Sequence, residues 1–304
     1  MIQVQNLTRR YGDFTAVDKV SFRIERGEVI GLLGHNGAGK TTIMKMLTGY
    51  LEPTEGTITI DGLTMGPDTR AIQSRIGYLP ENCPVWPDML VIEFLEYQAM
   101  LHGVAPEKRL KAIARAIRRT GLKPKANARI QTLSRGYRQR VGVAQAILHD
   151  PDIVILDEPT NGLDPTQIHH MRDLIRELSK TATVIVSTHI LQEVQAICQR
   201  VLIMRAGQLV EDSSLQDLQK DHALLVTVQG DAKGPLASVP GVSAITELQQ
   251  QDGYHHYRLE ADASVAPEVV TAITGAGLPL LEITPERQDL ETVFARVNEE
   301  VAHA

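Results

Sequence analysis

Short runs of apolar residues set the rhythm of the first two thirds of the chain. VIGLL (29–33), IVIL (153–156) and TVIVST (183–188) are four to six residues long, and VLIM (201–204) is another short run of the same kind. Apolar runs of this length that do not alternate read as strands buried on both faces, as in an open α/β sheet. Between them lie segments with helical spacing. TTIMKMLTG (41–49) follows the first strand directly, and in EKRLKAIARAIRR (107–119) Ile113 and Ile117 fall on one face and arginines on the other. Beyond residue 220 the pattern changes. LLVTVQ (224–229), VSAITELQ (242–249), HHYRLEA (255–261) and PLLEITPE (279–286) read as strands, PEVVTAITGAG (267–277) as a helix ending in Gly, and DLETVFARVNE (289–299) as a last helix. EDSSLQDLQKD (211–221) reads as a polar helical connector, so the chain is expected to divide into residues 1–220 and a smaller α+β domain at 221–304.

Composition supports that division. A chain of 304 residues is long for one ordinary domain. The net charge of −6 is uneven: residues 221–304 carry 13 acids and 4 bases, a local −9, which leaves +3 for residues 1–220. No apolar run approaches the ~18 residues that span a bilayer. MIQVQNLTRRYG has no apolar signal core, and two cysteines, Cys83 and Cys198, form no metal-ligand spacing. A cytoplasmic chain with two inert thiols is expected.

The chemistry enters at IGLLGHNGAGKTT (30–42). Gly34, Gly39, Lys40 and Thr41 satisfy G-x-x-x-x-G-K-[ST] between a strand and a helix, the context a phosphate loop needs. The loop Gly34, His35, Asn36, Gly37, Ala38, Gly39 can turn its N–H groups toward phosphate oxygens, and the helix N-terminus adds partial positive charge. Lys40 is placed for the β- and γ-phosphates of ATP, Thr41 for Mg²⁺, and Thr42 completes the first turn. PDIVILDE (151–158) ends a buried strand on Asp157, a second Mg²⁺ ligand, and Glu158, placed to polarise a water. His189 ends TVIVSTH; it is either structural or part of the same sheet edge, where ligands of open α/β sheets gather.

With these in order, LSRGYRQ (133–139) resembles the signature of the ATP-binding subunits of ABC transporters, commonly LSGGQ, and the resemblance covers roughly residues 1–215. On its own residues the stretch would be an ordinary Ser-capped helix. The resemblance implies a P-loop NTPase core with an antiparallel β subdomain, a helical subdomain at about 82–150, and ATP hydrolysis. It implies that Ser134, Arg135 and Gly136 bind the γ-phosphate held by a second subunit. It further implies Glu158 as catalytic glutamate, His189 as the residue sensing the γ-phosphate, Asp164 in TNGLDP as an acid at the dimer interface, and Tyr11 as the aromatic stacking on adenine, with Val17 touching the same base. Tyr11 alone would also pass for a strand-end tyrosine in a turn.

Three positions depart from the family pattern. Glu81, in IGYLPENCP, stands where Gln is usual and is a further candidate metal ligand, although it adds negative charge. Arg135 and Tyr137 alter the signature, and Asn161 replaces a common Ser. PEN and YRQRVGVAQAI are similar to the subgroup that works with ABC-2-type permeases, as in gliding-motility and multidrug-export ATPases, and DLETVF resembles a phrase in the small C-terminal domain of that subgroup. The resemblance therefore implies a motor subunit on the cytoplasmic face of the inner membrane, working as a homodimer with a separate membrane-embedded permease, in export.

Two stretches read in more than one way. CPVWPDMLVIEFLEYQAML (83–101) holds the single tryptophan, Trp86, which either packs its own loop or faces a cleft for the permease. Residues 107–129 hold 9 basic residues and one acid, a solvated face or a contact with anionic lipid heads. Without interleaved aromatics, nucleic acid is not expected. The competing class is a soluble ABC ATPase acting on ribosomes or DNA. Translation factors of that class carry two cassettes, and the chromosome ATPases a long coiled coil, whereas Lys40 and Ser134 stand 94 positions apart.

Overall fold

The computed structural model describes residues 1–218, 223–251, 253–286, 290, 291 and 294. The chain forms two compact units, Met1–Leu215 and Gln216–Ala304. The first opens with β1 (Ile2–Tyr11), β2 (Phe14–Ile24) and β3 (Val29–Leu33), followed by α1 (Lys40–Leu47), β4 (Glu55–Ile60), β5 (Leu63–Thr64), α2 (Thr69–Gln73) and β6 (Ile76–Leu79). Three helices come next, α3 (Val91–Leu101), α4 (Pro106–Arg119) and α5 (Arg135–Ala146). The unit continues through β7 (Ile153–Asp157), α6 (Pro165–Leu178), β8 (Thr183–Thr188), α7 (Leu191–Ile197), β9 (Arg200–Arg205) and β10 (Gln208–Ser214), and the chain leaves it through α8 (Leu215–Leu218).

Two sheets result. The order β10-β9-β3-β8-β7-β6 is parallel except for β10, which returns on β9 as a hairpin. Every residue of β3, β7 and β8 is buried, which is why those segments show no polar alternation. The second sheet, β2-β1-β4-β5, is antiparallel and alternates. Its inward residues Val4, Val20 and Ile58 share one core with Ile30, Leu32, Ile43 and Met44. Registry fixes the functional edge: Leu33 pairs with Thr188 and Asp157 with Ser187, so β3, β7 and β8 end side by side. In α4, Ala112, Ile113, Ala116 and Ile117 are buried, while Lys108, Lys111 and Arg118 are exposed.

Residues 211–214 depart from the expected connector. They form the end of β10, because Arg200 on β9 bonds Asp212 through Nε at 2.6 Å and Nη2 at 2.8 Å. A charged cross-strand pair leaves an edge strand with no apolar alternation to read. Helical structure is confined to Leu215–Leu218, and 219–221 lie outside the described residues.

The second unit contains β11 (Ala223–Gln229), α9 (Lys233–Ala237), β12 (Ala244–Gln251), β13 (Tyr254–Glu260), α10 (Ala266–Gly275) and β14 (Leu280–Glu286). Its strand order β12-β13-β11-β14, all antiparallel, is the split β-α-β arrangement. Leu224, Val226, Tyr257, Leu259, Val269 and Ile273 form its own core. His255 and His256 part as neighbours on a strand must, His255 to Glu247 and His256 to Thr227. Most of the expected last helix, 289–299, lies outside the described residues.

Candidate functional site

The loop after β3 is shaped by close approach. Gly39, with φ 104°, caps α1 in the left-handed region, and a Cβ there would lie 2.7 Å from the Ala16 carbonyl oxygen. No side chain fits that position, so the backbone enters α1 at a place no other residue could take. Lys40 is 6% exposed, and its ammonium donates to the carbonyls of Gly34 (2.7 Å) and His35 (3.2 Å). It also lies 3.7 Å from Glu158 Oε1.

Glu158 follows the end of β7 with a φ of 48°, a conformation unfavourable for a residue with a side chain. The surroundings hold it there: its N–H donates to the Ser187 hydroxyl at 3.1 Å and to the Ser187 carbonyl at 3.2 Å. Its buried carboxylate meets His189 Nδ1 at 3.0 Å through Oε2. Asp157 is fully buried, and its Oδ1 accepts from the Ser187 hydroxyl. Its Oδ2 is buried with no hydrogen-bond partner.

These groups meet at a cavity of about 360 Å³ lined by Tyr11, Asn36, Gly37, Gly39, Lys40, Thr41, Thr42, Glu81, Glu158 and His189. Phe14, Ala16 and Asn161 line it too, and were not anticipated. Phe14 is 64% exposed and pairs with Tyr11 across a tight hairpin. The aromatic flanking of the Y-G-D-F turn was the available signal. Arg9 stacks on the Tyr11 ring at 4.6 Å from its centroid, and Tyr11 remains half-exposed at the cavity. Val17 is a correction: it is fully buried in the core beneath Gly39, and Ala16 takes the place expected of it. Alternation is interrupted here: Lys19 has a φ of 49° and the β1–β2 register shifts, so Ala16 and Val17 are both buried and Val17 joins Val20 in the core.

The bare Asp157 Oδ2 is the feature that fits a divalent cation, since an unpartnered buried oxygen is costly unless a cation takes it. Asp157 and the Thr41 hydroxyl supply hard oxygen donors of the kind Mg²⁺ prefers. Among the described residues no cluster of three or more His, Cys, Asp or Glu could hold a metal. That suits an ion bound mainly through substrate phosphates and few protein ligands.

Ser134, Arg135, Gly136 and Asp164 do not line this cavity. Ser134 is the exposed N-cap of α5, accepting weakly from Tyr137 N at 3.5 Å. Asp164 caps α6, its Oδ1 accepting from Gln167 N at 3.0 Å. The two caps are neighbours: Gly136 abuts the Gln167 side chain, and Arg140 Nη2 donates to Gln167 Oε1 at 2.7 Å. The Arg135 guanidinium covers Gly162, where an added Cβ would lie 2.3 Å from Nη1. A larger cavity of about 770 Å³ lies away from the phosphate loop, lined by Tyr50, Tyr78, Trp86 and Leu101 with Lys45 and Arg70. Trp86 is 47% exposed and packs on Tyr97 at 4.7 Å, so it packs its own surroundings while lining this cavity. Burial pushes the thiols of Cys83 and Cys198 up to about 12, which keeps both inert.

A phosphate loop opening α1, a strand ending in Asp157 and Glu158, and a histidine at the end of the adjacent strand define a P-loop nucleotide hydrolase with an open α/β sheet. The family described as ABC transporter matches residues 17–161. Over 300 residues the chain is 34% identical to the ABC transporter ATP-binding protein YxlF of Bacillus subtilis, covering 98% of this chain and 99% of that one. It is 30% identical to the linearmycin resistance ATP-binding protein LnrL of the same organism, with 97% of each covered. The dimeric structure of the bacterial ABC transporter cassette MJ0796 superposes with a TM-score of 0.65 at 26% identity, over 71% of this chain and 99% of that one. The same cassette is known bound to ADP and Pi after hydrolysis. The chain therefore belongs to the ATP-binding subunits of ABC transporters. Its ligand is ATP with Mg²⁺ and its activity is ATP hydrolysis. Among the described residues no helix is long and apolar enough to cross a membrane.

Proposed function

We propose that two copies of this chain close on two ATP molecules, each site combining the phosphate loop of one copy with Ser134 of the other, and drive a separate ABC-2-type permease in export. The observation carrying this reading is the division just described. Lys40, Glu158 and His189 share one cavity, while Ser134 stands at an exposed helix start, with Gly136 buried against Gln167 behind it, and neither lines that cavity. Lys40 exchanges its loop carbonyls for phosphate oxygens. Glu158 orients the attacking water and takes up its proton, with His189 holding its second oxygen. Thr41 and Asp157, with Glu81 also lining the cavity, would hold Mg²⁺, which would supply charge neutralisation to the phosphates. Asp164 crosses to the second copy beside Ser134.

The cleft at Trp86 would receive a cytoplasmic segment of the permease, because it presents aromatic surface beside Lys45 and Arg70. Residues 221–304 would be an accessory domain. The resistance function named for LnrL supports export as the direction. The exposed Lys108, Lys111 and Arg118 of α4 would lie against anionic lipid heads at the inner membrane. Reversing all three charges should abolish flotation with phosphatidylserine vesicles, and unchanged flotation would remove the lipid contact.

The main test uses tagged Glu158→Gln purified from detergent-solubilised membranes with ATP and Mg²⁺. Turnover should fall by about 10²–10⁴, the ATP-bound dimer should persist, and a membrane permease should co-purify. Normal turnover would overturn the role of Glu158. Capture of ribosomes or DNA with no membrane protein would place the ATPase in a different process.

A further inference from the structure

Behind the Glu158–His189 pair lies a second carboxylate, one that does not line the nucleotide cavity. Glu193, in the first turn of α7, is 2% exposed. Its Oε2 accepts from the hydroxyl of Thr160 and from that of Thr188, the latter at 3.1 Å. Thr188 Oγ1 in turn accepts from the N–H of Ile190 at 3.1 Å. The two threonines are 3% and 1% exposed. Thr160 stands two residues after Glu158, and Thr188 immediately precedes His189. One buried oxygen therefore joins the two loops whose side chains meet at 3.0 Å. Ser187 fastens Asp157 and the Glu158 N–H; Glu193 ties the same loops through the two threonines.

Stability does not explain this carboxylate. Glu193 Oε1 is buried with no hydrogen-bond partner, a cost to the fold that an apolar side chain of similar volume would avoid. What the carboxylate provides is a fixed separation between two loops.

We propose that Glu193 is a positioning residue: by tying Thr160 to Thr188 it sets the distance between Glu158 and His189, and so the rate of hydrolysis, without touching nucleotide. This rests on the reading of Glu158 as the base. The test compares kcat and KM for MgATP in the full-length chain. Glu193→Ala should lower kcat by about tenfold to a hundredfold, the scale of an ångström-sized misplacement, with KM within about twofold. Glu193→Gln keeps an acceptor oxygen for both hydroxyls and should restore kcat to within about threefold of the parent. In a His189→Ala background, where the positioned pair no longer exists, Glu193→Ala should change kcat by less than about twofold.

An unchanged kcat in Glu193→Ala overturns the proposal, as does an equal loss with and without His189, which a merely structural defect would give. Should Glu193→Ala fail to fold, Thr160→Val severs the tie with its shape kept; it should lower kcat with KM unchanged, and parent-level kcat would overturn the idea. A failure of the base assignment shows separately, as normal turnover by Glu158→Gln.

Discussion

The phosphate-loop pocket and the face that carries Ser134 are built from the same sheet and helices, yet they are finished to different degrees. At the pocket the central charged side chains are held. Lys40 has two carbonyls, Glu158 has His189 and Ser187, and Asp157 has Ser187 on one oxygen. The groups that must not move are buried, and the strained φ of Glu158 is tolerated because neighbours on both sides fix it. The signature face is the reverse. Ser134 and Arg135 are exposed, and the Ser134 cap is long at 3.5 Å. The contacts there position α5 against α6, through Gly136, Gln167 and Arg140, and leave Ser134 and Arg135 at an exposed helix start outside the nucleotide cavity. In the proposed dimer the pocket of one chain holds the nucleotide, and the exposed helix start of the other completes the site.

That difference is broken most decisively by separating the two functions. Lys40→Ala should eliminate ATP binding and turnover together, since its buried ammonium is held by the loop carbonyls of Gly34 and His35 beside Glu158. Ser134→Arg should retain ATP binding by one chain while losing turnover by about 10² or more, the scale of a lost oxyanion-type donor. Mixing the two inactive variants should then recover part of the activity, because one of the two sites in each heterodimer pairs an intact Lys40 with an intact Ser134. Activity that stays absent in the mixture, with both variants folded and dimer formed, would show that Ser134 does not complete the neighbour's site.

The two regions also differed in how far the sequence disclosed them. The phosphate loop, Asp157, Glu158 and His189 were legible because the chemistry demands fixed residue types at strand ends, and continuous apolar runs announce those strands. Their convergence follows from parallel registry, Leu33 beside Thr188 and Asp157 beside Ser187. Val17 came from the family resemblance alone; an irregular β1–β2 register, with Lys19 at a φ of 49°, turns it into the core with Val20 instead. Glu193 was not legible at all. Its role depends on two threonines 28 positions apart meeting on one oxygen, a coincidence that no local pattern records. The short α9 and the end of β10 escaped for a related reason: Pro and Gly punctuate the first, and a charge pair rather than apolar alternation holds the second.

The smallest expected effect bears on the far end of α5, the helix whose start carries Ser134. There His149 stacks on His102, which follows α3, with ring centroids 4.2 Å apart and planes within 7°. Burial, then the neighbouring His102, holds the His149 imidazole down at about 4, against small opposing effects of the Ile76 carbonyl and Asp150. The unfolded chain takes up a proton as pH falls through 6.5, while the folded chain does not until about 4. Stability is therefore fully present above 6.5 and is lost progressively as pH drops from 6.5 toward 4. Between pH 7 and 5.5 the loss from this one group should be on the order of 1 kcal/mol, after allowance for its partial exposure. His149→Gln keeps a polar planar side chain but cannot titrate, so its urea midpoint should fall less than the parent's over the same interval. The phosphate-loop pocket, which contains neither histidine, should bind ATP alike in both variants at pH 7. Equal pH slopes for parent and variant would mean that the stacked pair does not govern the acid sensitivity of the signature-bearing arm, and that its carboxylates must account for it instead.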